Sequence, residues 1–176
     1  VRTFQREFGK SPRDLFETFS SSAKHGASIG QVHEATLGEN TYAVKVQYPG
    51  VADSLNSDLA VVKPVALQVL GLNDVEVEPY FEEVKKRLLE ETDYALELER
   101  SIALSKATEG KVAGLRFPTY YPEFSTRRIL TMDWIDGRPL DRFAREEEDR
   151  EAKNRVAQAI WDFYQFQIHE LKQFHA

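Results

Sequence analysis

The chain has 176 residues, of which 41% are apolar and 30% charged, with a formal net charge of −6. That is long enough to bury a full core and ordinary for one soluble globular domain, and the acidic balance excludes a general nucleic-acid binder, which presents a basic face. The absence of cysteine excludes disulfides, thiolate catalysis and Cys-ligated zinc, and leaves the redox compartment undetermined.

No apolar run approaches the ~18 residues that a membrane span needs. Residues 1–9 mix polar and aromatic side chains and do not read as a signal peptide. The chain begins with Val1 rather than Met, the mark expected of a piece cut from a longer protein.

Phe4 and Phe8 stand at helical spacing, so residues 2–9 are predicted to be a helix stopped by Gly9. Ser11-Pro12 fits an N-cap followed by proline at the first helical position, which predicts a short helix over 12–19. Ser20-Ser21-Ser22 is a polar break. Residues 29–37 and 41–48 are strand-like, joined by a hairpin turn at Gly38-Glu39-Asn40, and Pro49-Gly50 ends the second strand.

A helix is predicted over 53–71, with Leu55, Leu59, Val62, Ala66 and Val69/Leu70 as its apolar stripe and Gly71 at its end. Pro64 is expected to kink it or start a new helix. The longest helical pattern covers 78–108, where Phe81, Val84, Leu88, Ala95, Leu98 and Ile102 step by three and four with a gap at 91. Gly110 and Gly114 loosen the chain, Phe117-Pro118 leads into a strand-rich patch, and 127–135 is a strand. Asp136-Gly137-Arg138-Pro139 is a turn, 146–151 a solvated helix start, and 149–171 an amphipathic helix bearing Val156, Ile160, Phe163 and Leu171. The order predicts an α+β fold, a small antiparallel sheet with flanking helices, and not a doubly wound one.

The chemistry concentrates in three places. Gly26, Ala27, Ser28 and Gly30 are small enough for backbone N–H groups to approach an anion, although an ordinary Gly/Ala-rich turn has the same composition. No Gly-Lys-Ser/Thr follows, so this is not a Walker loop. On the second strand, Ala43 and Lys45 share one face and Val44 and Val46 the other. Lys45 suits a phosphate-holding role beneath the loop, and a solvated surface lysine is the alternative. The long helix supplies Glu91, Asp93 and Glu97. Glu91 falls in the apolar row and needs a partner or a wet site, while Asp93 and Glu97 also fit a solvated face. The four histidines show no shared metal-ligand spacing, and Trp134 and Trp161 read as packing residues.

Together these segments resemble the ABC1/UbiB/COQ8/ADCK group of atypical kinase-like proteins. The residues that carry the resemblance are Ala27-Ser28-Ile29-Gly30-Gln31-Val32-His33, Ala43-Val44-Lys45-Val46-Gln47-Tyr48-Pro49-Gly50, Glu91-Thr92-Asp93-Tyr94-Ala95-Leu96-Glu97 and Ile129-Leu130-Thr131-Met132-Asp133-Trp134-Ile135-Asp136-Gly137. The resemblance implies a kinase-like N-lobe with a helical insertion over 25–135, preceded by a helical segment at 1–24 and followed by an incomplete C-lobe start at 136–176. It implies that Gly26, Ala27, Ser28, Ile29, Gly30, Val32 and Ala43 surround a nucleotide and that Lys45 holds its phosphates. It implies that Glu91 and Asp93 form a Glu-x-Asp motif and that Glu97 pairs with Lys45, Glu91 being the alternative partner. Met132, Asp133 and Ile135 would meet the adenine edge. Two alanines usual in the family's loop are replaced by His25 and Gly26, which puts nucleotide preference in doubt.

The family's Lys-x-Gly-Gln motif is not in the sequence. Leu171-Lys172-Gln173-Phe174-His175-Ala176 is similar to the approach to its catalytic segment, whose Asp is expected just after Ala176, so catalytic and metal-binding residues are expected outside this chain. ATP or ADP with Mg²⁺ is the implied cofactor of the full-length parent, and the 176 residues alone are expected to be inactive. Isoprenoid-quinone metabolism or lipid homeostasis, near a bacterial membrane or in a mitochondrion or plastid, is the implied setting. Quinone-pathway proteins, lipid or a membrane surface are the implied partners, and self-association through the 149–171 helix is expected. A non-catalytic module that binds lipid or protein under nucleotide control is the alternative.

Overall fold

A computed structural model describes residues 1–71 and 73–173. The fold is α+β and divides into two units. The first comprises Val1–Arg100 and Thr119–Trp134, the second Ser101–Pro118 and Ile135–Ala176. Phe174-His175-Ala176, read as the approach to a catalytic segment, and the Leu70 side chain of the predicted stripe lie outside what is described.

The first unit begins with helix α1 (Arg2–Phe8), ended at Gly9 as expected. Helix α2 (Pro12–Leu15) carries a capping box between Ser11 and Asp14. It is shorter than predicted, because Thr18–Phe19 forms strand β1. β1 pairs with one end of β3 (Gly30–Leu37), and β2 (His25–Ala27) pairs with the other. The amides of Ser20 and Lys24 continue the ladder to the carbonyls of Glu34 and Val32, each at 2.8 Å. Residues 18–27 are therefore one edge strand that bulges outward at the serines. The stretch read as a loop over an anion is a β2–β3 hairpin closed by Ser28-Ile29.

β3 pairs along its length with β4 (Asn40–Gln47), and β4 with β5 (Ile129–Asp133), all antiparallel. The later strand is shorter than the predicted 127–135, and its neighbour contributes only an isolated bridge, Tyr120 to Met132.

Directly paired residues in an antiparallel sheet point to the same side. One face therefore carries Ala35, Tyr42, Val44, Val46 and Ile129, and Phe4 and Phe16 from α1 and α2 close over it to form the core. Phe16 meets the rings of Phe19, Tyr42 and Phe124 at 5.3–6.2 Å. The opposite face carries Gly30 and Val32 of β3, Ala43, Lys45 and Gln47 of β4, and Leu130 and Met132 of β5.

Between β4 and β5 stand α3 (Val51–Leu70), α4 (Asp74–Glu91) and α5 (Tyr94–Thr108). α3 runs unbroken through Pro64, so no new helix starts there. Asn73 caps α4 by accepting from the Val75 amide at 3.1 Å, which starts this helix earlier than the predicted residue 78. The 78–108 pattern is two helices rather than one. The chain turns out of α4 at Thr92, and the Asp93 carboxylate accepts from the amides of Ala95 and Leu96, capping a new helix. α3 and α4 are joined by the Lys63–Glu78 ion pair and leave Val61, Val65 and Val69 exposed.

The second unit contains the remainder of α5, helix α6 (Leu140–Glu146) and helix α7 (Arg150–Phe166), which continues in a wider π-type turn over Gln167–Leu171. α6 was not foreseen. Its exposed Arg142–Glu146 and Arg145–Asp141 pairs hold a charged segment that carries little apolar periodicity. Asp149 caps α7 through the Glu151 amide. Phe117 meets Phe163 edge-on at 6.0 Å, while Ile160, Trp161 and Tyr164 stay exposed.

Two expectations follow. Phe16→Ala removes a buried ring from the joint between the N-terminal helices and the sheet and should cost about 3–5 kcal/mol in urea unfolding. A Cβ on Gly30 would sit 2.4 Å from the Val46 carbonyl oxygen, whereas one on Gly26 would meet nothing within 4 Å. Gly30→Ala should therefore destabilise by about 1–3 kcal/mol, and Gly26→Ala should leave the melting temperature unchanged.

Candidate functional site

The open face of the sheet in the first unit is built around Lys45. This residue sits mid-strand, between Val32 on one side and Leu130 on the other. Its neighbours offer no carboxylate, so the ammonium is met from α5. Lys45 Nζ donates to both carboxylate oxygens of Glu97 at 2.8 Å. The lysine side chain is 17% exposed and that of Glu97 37%. Of the two acids left open as partner for Lys45, Glu97 makes the pair.

The position of Glu97 follows from the break between α4 and α5. Asp93 caps α5 with one carboxylate oxygen and holds Arg127 with the other, at 2.9 Å. The Tyr94 amide donates to the Arg127 carbonyl at 3.0 Å. From the sheet, the buried Gln47 sends its Nε2–H to the Thr92 carbonyl at 3.0 Å. These bonds pin the first turn of α5 to β4 and to the start of β5, and Glu97 stands one turn further along.

Glu91 ends α4, is exposed, and has no ion-pair partner among the described residues. The gap in the apolar row at 91 is explained by the helix ending there, so its carboxylate is never buried.

Tyr94 is fully buried, and its ring lies beneath Lys45, with Nζ 4.5 Å from the centroid. Burial, together with the charges of Glu97 and Glu91, pushes its phenol far above the ordinary tyrosine range. Its Oη would be 3.0 Å from a Cβ on Gly30. Tyr94 thus fills the space between the lysine and the hairpin at 27–30. The Tyr48 amide bonds the Ile29 carbonyl at 3.0 Å and fixes that hairpin to the end of β4.

Sequence reasoning missed Tyr94, Gln47 and Arg127. The two-residue strand period placed Gln47 on the face of Lys45, a signal that was available. Tyr94 lies among acids and breaks the helical stripe, so only the helix break reveals it as buried.

Val32, Ala43 and Met132 are half-buried on the same face as Lys45. His25 at the start of β2 stacks on Trp134 just after β5, with ring centroids 5.7 Å apart, giving both residues an aromatic partner. The Asp133 carboxylate accepts from the Thr119 amide at 2.9 Å and from the Tyr121 hydroxyl at 2.7 Å, which pushes the Tyr121 phenol up to about 12. Ile135 begins the second segment of the second unit and is exposed. A separate cavity of about 550 Å³, lined by Arg2, Phe4, Arg13, Phe19 and His33 among others, lies away from Lys45.

Among the described residues no helix is long and apolar enough to cross a membrane. The family model for the ABC1 atypical kinase-like domain matches residues 1–176. The chain is 32% identical to the probable serine/threonine-protein kinase abkA of Dictyostelium discoideum, over 90% of this chain and 30% of that protein. It is 30% identical to the mitochondrial atypical kinase COQ8B of Danio rerio, over 98% of this chain and 27% of that protein. The chain thus spans about 30% of the length of these curated relatives. Among solved structures, the complex of Rv3197 with erythromycin from Mycobacterium tuberculosis matches with a TM-score of 0.68 and 28% identity, covering 85% of this chain and 38% of that one. With the family model spanning its whole length, the chain belongs to the ABC1 atypical kinase-like family.

Proposed function

We propose that the open sheet face of the first unit binds the phosphates and base of an adenine nucleotide, as the ATP-binding part of an atypical kinase or ATPase. The observation that carries this reading is the two-oxygen pairing of Lys45 with Glu97. A carboxylate that holds a strand lysine in place is what lets the lysine act as a fixed positive charge on α- and β-phosphates. In this reading the small residues Gly26, Ala27 and Ser28, with Ile29 and Gly30, let the hairpin backbone approach the phosphates. Val32 and Ala43 leave a flat apolar space for the base, bordered by Met132 and by the backbone of Asp133.

Lys45 gives two of its three N–H donors to Glu97, which leaves one, in a direction the pair fixes, for a phosphate oxygen. Asp93 is engaged on both oxygens, which leaves Glu91 as the acid of the motif without an ion-pair partner among the described residues. Transfer or hydrolysis needs a base and metal ligands. The resemblance assigns no catalytic base to these 176 residues, so binding without turnover is the expectation for them. The parent's role in isoprenoid-quinone metabolism belongs to the same proposal.

A second reading is a module that binds an apolar ligand under nucleotide control. It draws on the erythromycin in the related complex and on the 550 Å³ cavity away from Lys45.

The test is a titration with Mg·ATP followed by calorimetry and by Trp134 fluorescence in a Trp161→Phe background. Binding should weaken at least tenfold in Lys45→Met, and about as much in Glu97→Gln, which leaves the lysine without its counter-charge. Unchanged affinity in Lys45→Met would sink the reading.

A further inference from the structure

We propose that Tyr94 is the positioning residue for Lys45, holding its ammonium in place through the face of the ring. The inference rests on the nucleotide-binding reading for its functional consequence, though not for its geometry.

Lys45 has two contacts that fix its charged end. One is the Glu97 carboxylate and the other is the Tyr94 ring, at 4.5 Å. Both come from the first turns of α5, three residues apart, where helical side chains share a face. A carboxylate alone leaves a flexible four-carbon side chain free to swing about the ion pair. An aromatic face beneath the ammonium removes that freedom, and its attraction strengthens as the pair is withdrawn from water. Tyr94 is fully buried and Lys45 is mostly so, which places this contact at the desolvated end of the range.

The phenol is also locked from the other side. Among the described residues its Oη has no hydrogen-bond partner, and it lies against Gly30. The ring is therefore wedged between β3 and the lysine and cannot withdraw. Any displacement of the 27–30 hairpin reaches Lys45 through this ring. The hydroxyl contributes no bond, so the ring alone does the positioning, and phenylalanine should replace tyrosine without loss.

The experiment compares phenylalanine with 3,4,5-trifluorophenylalanine at position 94. The two keep the ring's shape and differ in the charge on its face. Two readouts are taken: the ¹⁵N-detected ammonium resonance of Lys45 in the nucleotide-free protein, and the dissociation constant for Mg·ATP. Tyr94→Phe should keep both as in the unaltered chain, with equal or higher thermal stability. The trifluoro side chain should shift the Lys45 resonance and weaken Mg·ATP about fivefold, at unchanged melting temperature. Tyr94→Leu should weaken binding further, and its melting curve shows whether it remains folded.

An unmoved Lys45 resonance in the folded trifluoro protein would overturn the proposal, as would a Tyr94→Phe protein that binds as poorly as Tyr94→Leu. If the unaltered chain does not bind Mg·ATP at all, the nucleotide reading fails, while the ammonium resonance still decides the positioning role.

Discussion

A lysine set in the middle of a sheet cannot remain without a counter-charge once a helix covers part of that face. Lys45 is met by Glu97 and by the ring of Tyr94, and much of the first unit serves to bring those two groups to it. The sheet has two unlike faces for this reason. One is closed by Phe4, Phe16 and the apolar residues of β3, β4 and β5, which supply the burial that stabilises the unit. The other holds Lys45 among the small or half-buried residues Gly30, Val32 and Ala43.

The break between α4 and α5 determines where the acids point. In a continuous helix from 78 to 108, Asp93 and Glu97 would share one face and Glu91 would stand on another. Ending α4 at Glu91 and starting α5 at Tyr94 gives the three acids three separate fates. Glu91 is left at an exposed helix end, Asp93 becomes a cap bonded to backbone amides and to Arg127, and Glu97 turns to the lysine. The cap satisfies amides that a helix start otherwise leaves open. The Arg127 pair and the Gln47 bond to Thr92 then tie this start to the sheet. Three neighbouring carboxylates are thus told apart by one turn of backbone.

The face assignment was legible in the strand period, since Ala43-Val44-Lys45-Val46 separates the lysine from the apolar row in any strand. The β3–β4 hairpin was legible in the same way, as was the stop of α1 at Gly9. The edge strand was not, because Thr18-Phe19 and His25–Ala27 are each too short to show alternation and are joined by serines. The α4–α5 break was hidden because the apolar steps from Leu88 to Ala95 keep helical spacing across it. The cap residue Asp93 was present in the sequence, but it was read as a ligand and not as the start of a helix. α6 was missed because exposed i,i+4 ion pairs hold it, and these leave no apolar stripe. Tertiary context decided each of these points.

Among the described residues, two buried side-chain polar atoms lack a partner, Tyr94 Oη and Gln47 Oε1. Each is the kind of group whose burial costs about 1–3 kcal/mol. Both residues adjoin the first turn of α5, one under Lys45 and one bonded to Thr92. A core selected for stability alone would hold phenylalanine and leucine there. The glutamine is kept because its amide reaches the helix break, and the tyrosine fills the space that Gly30 leaves open by its missing side chain. Local rules of polar satisfaction give way at both positions. In this unit they give way beside Lys45, which the Glu97 carboxylate and the Tyr94 ring hold together.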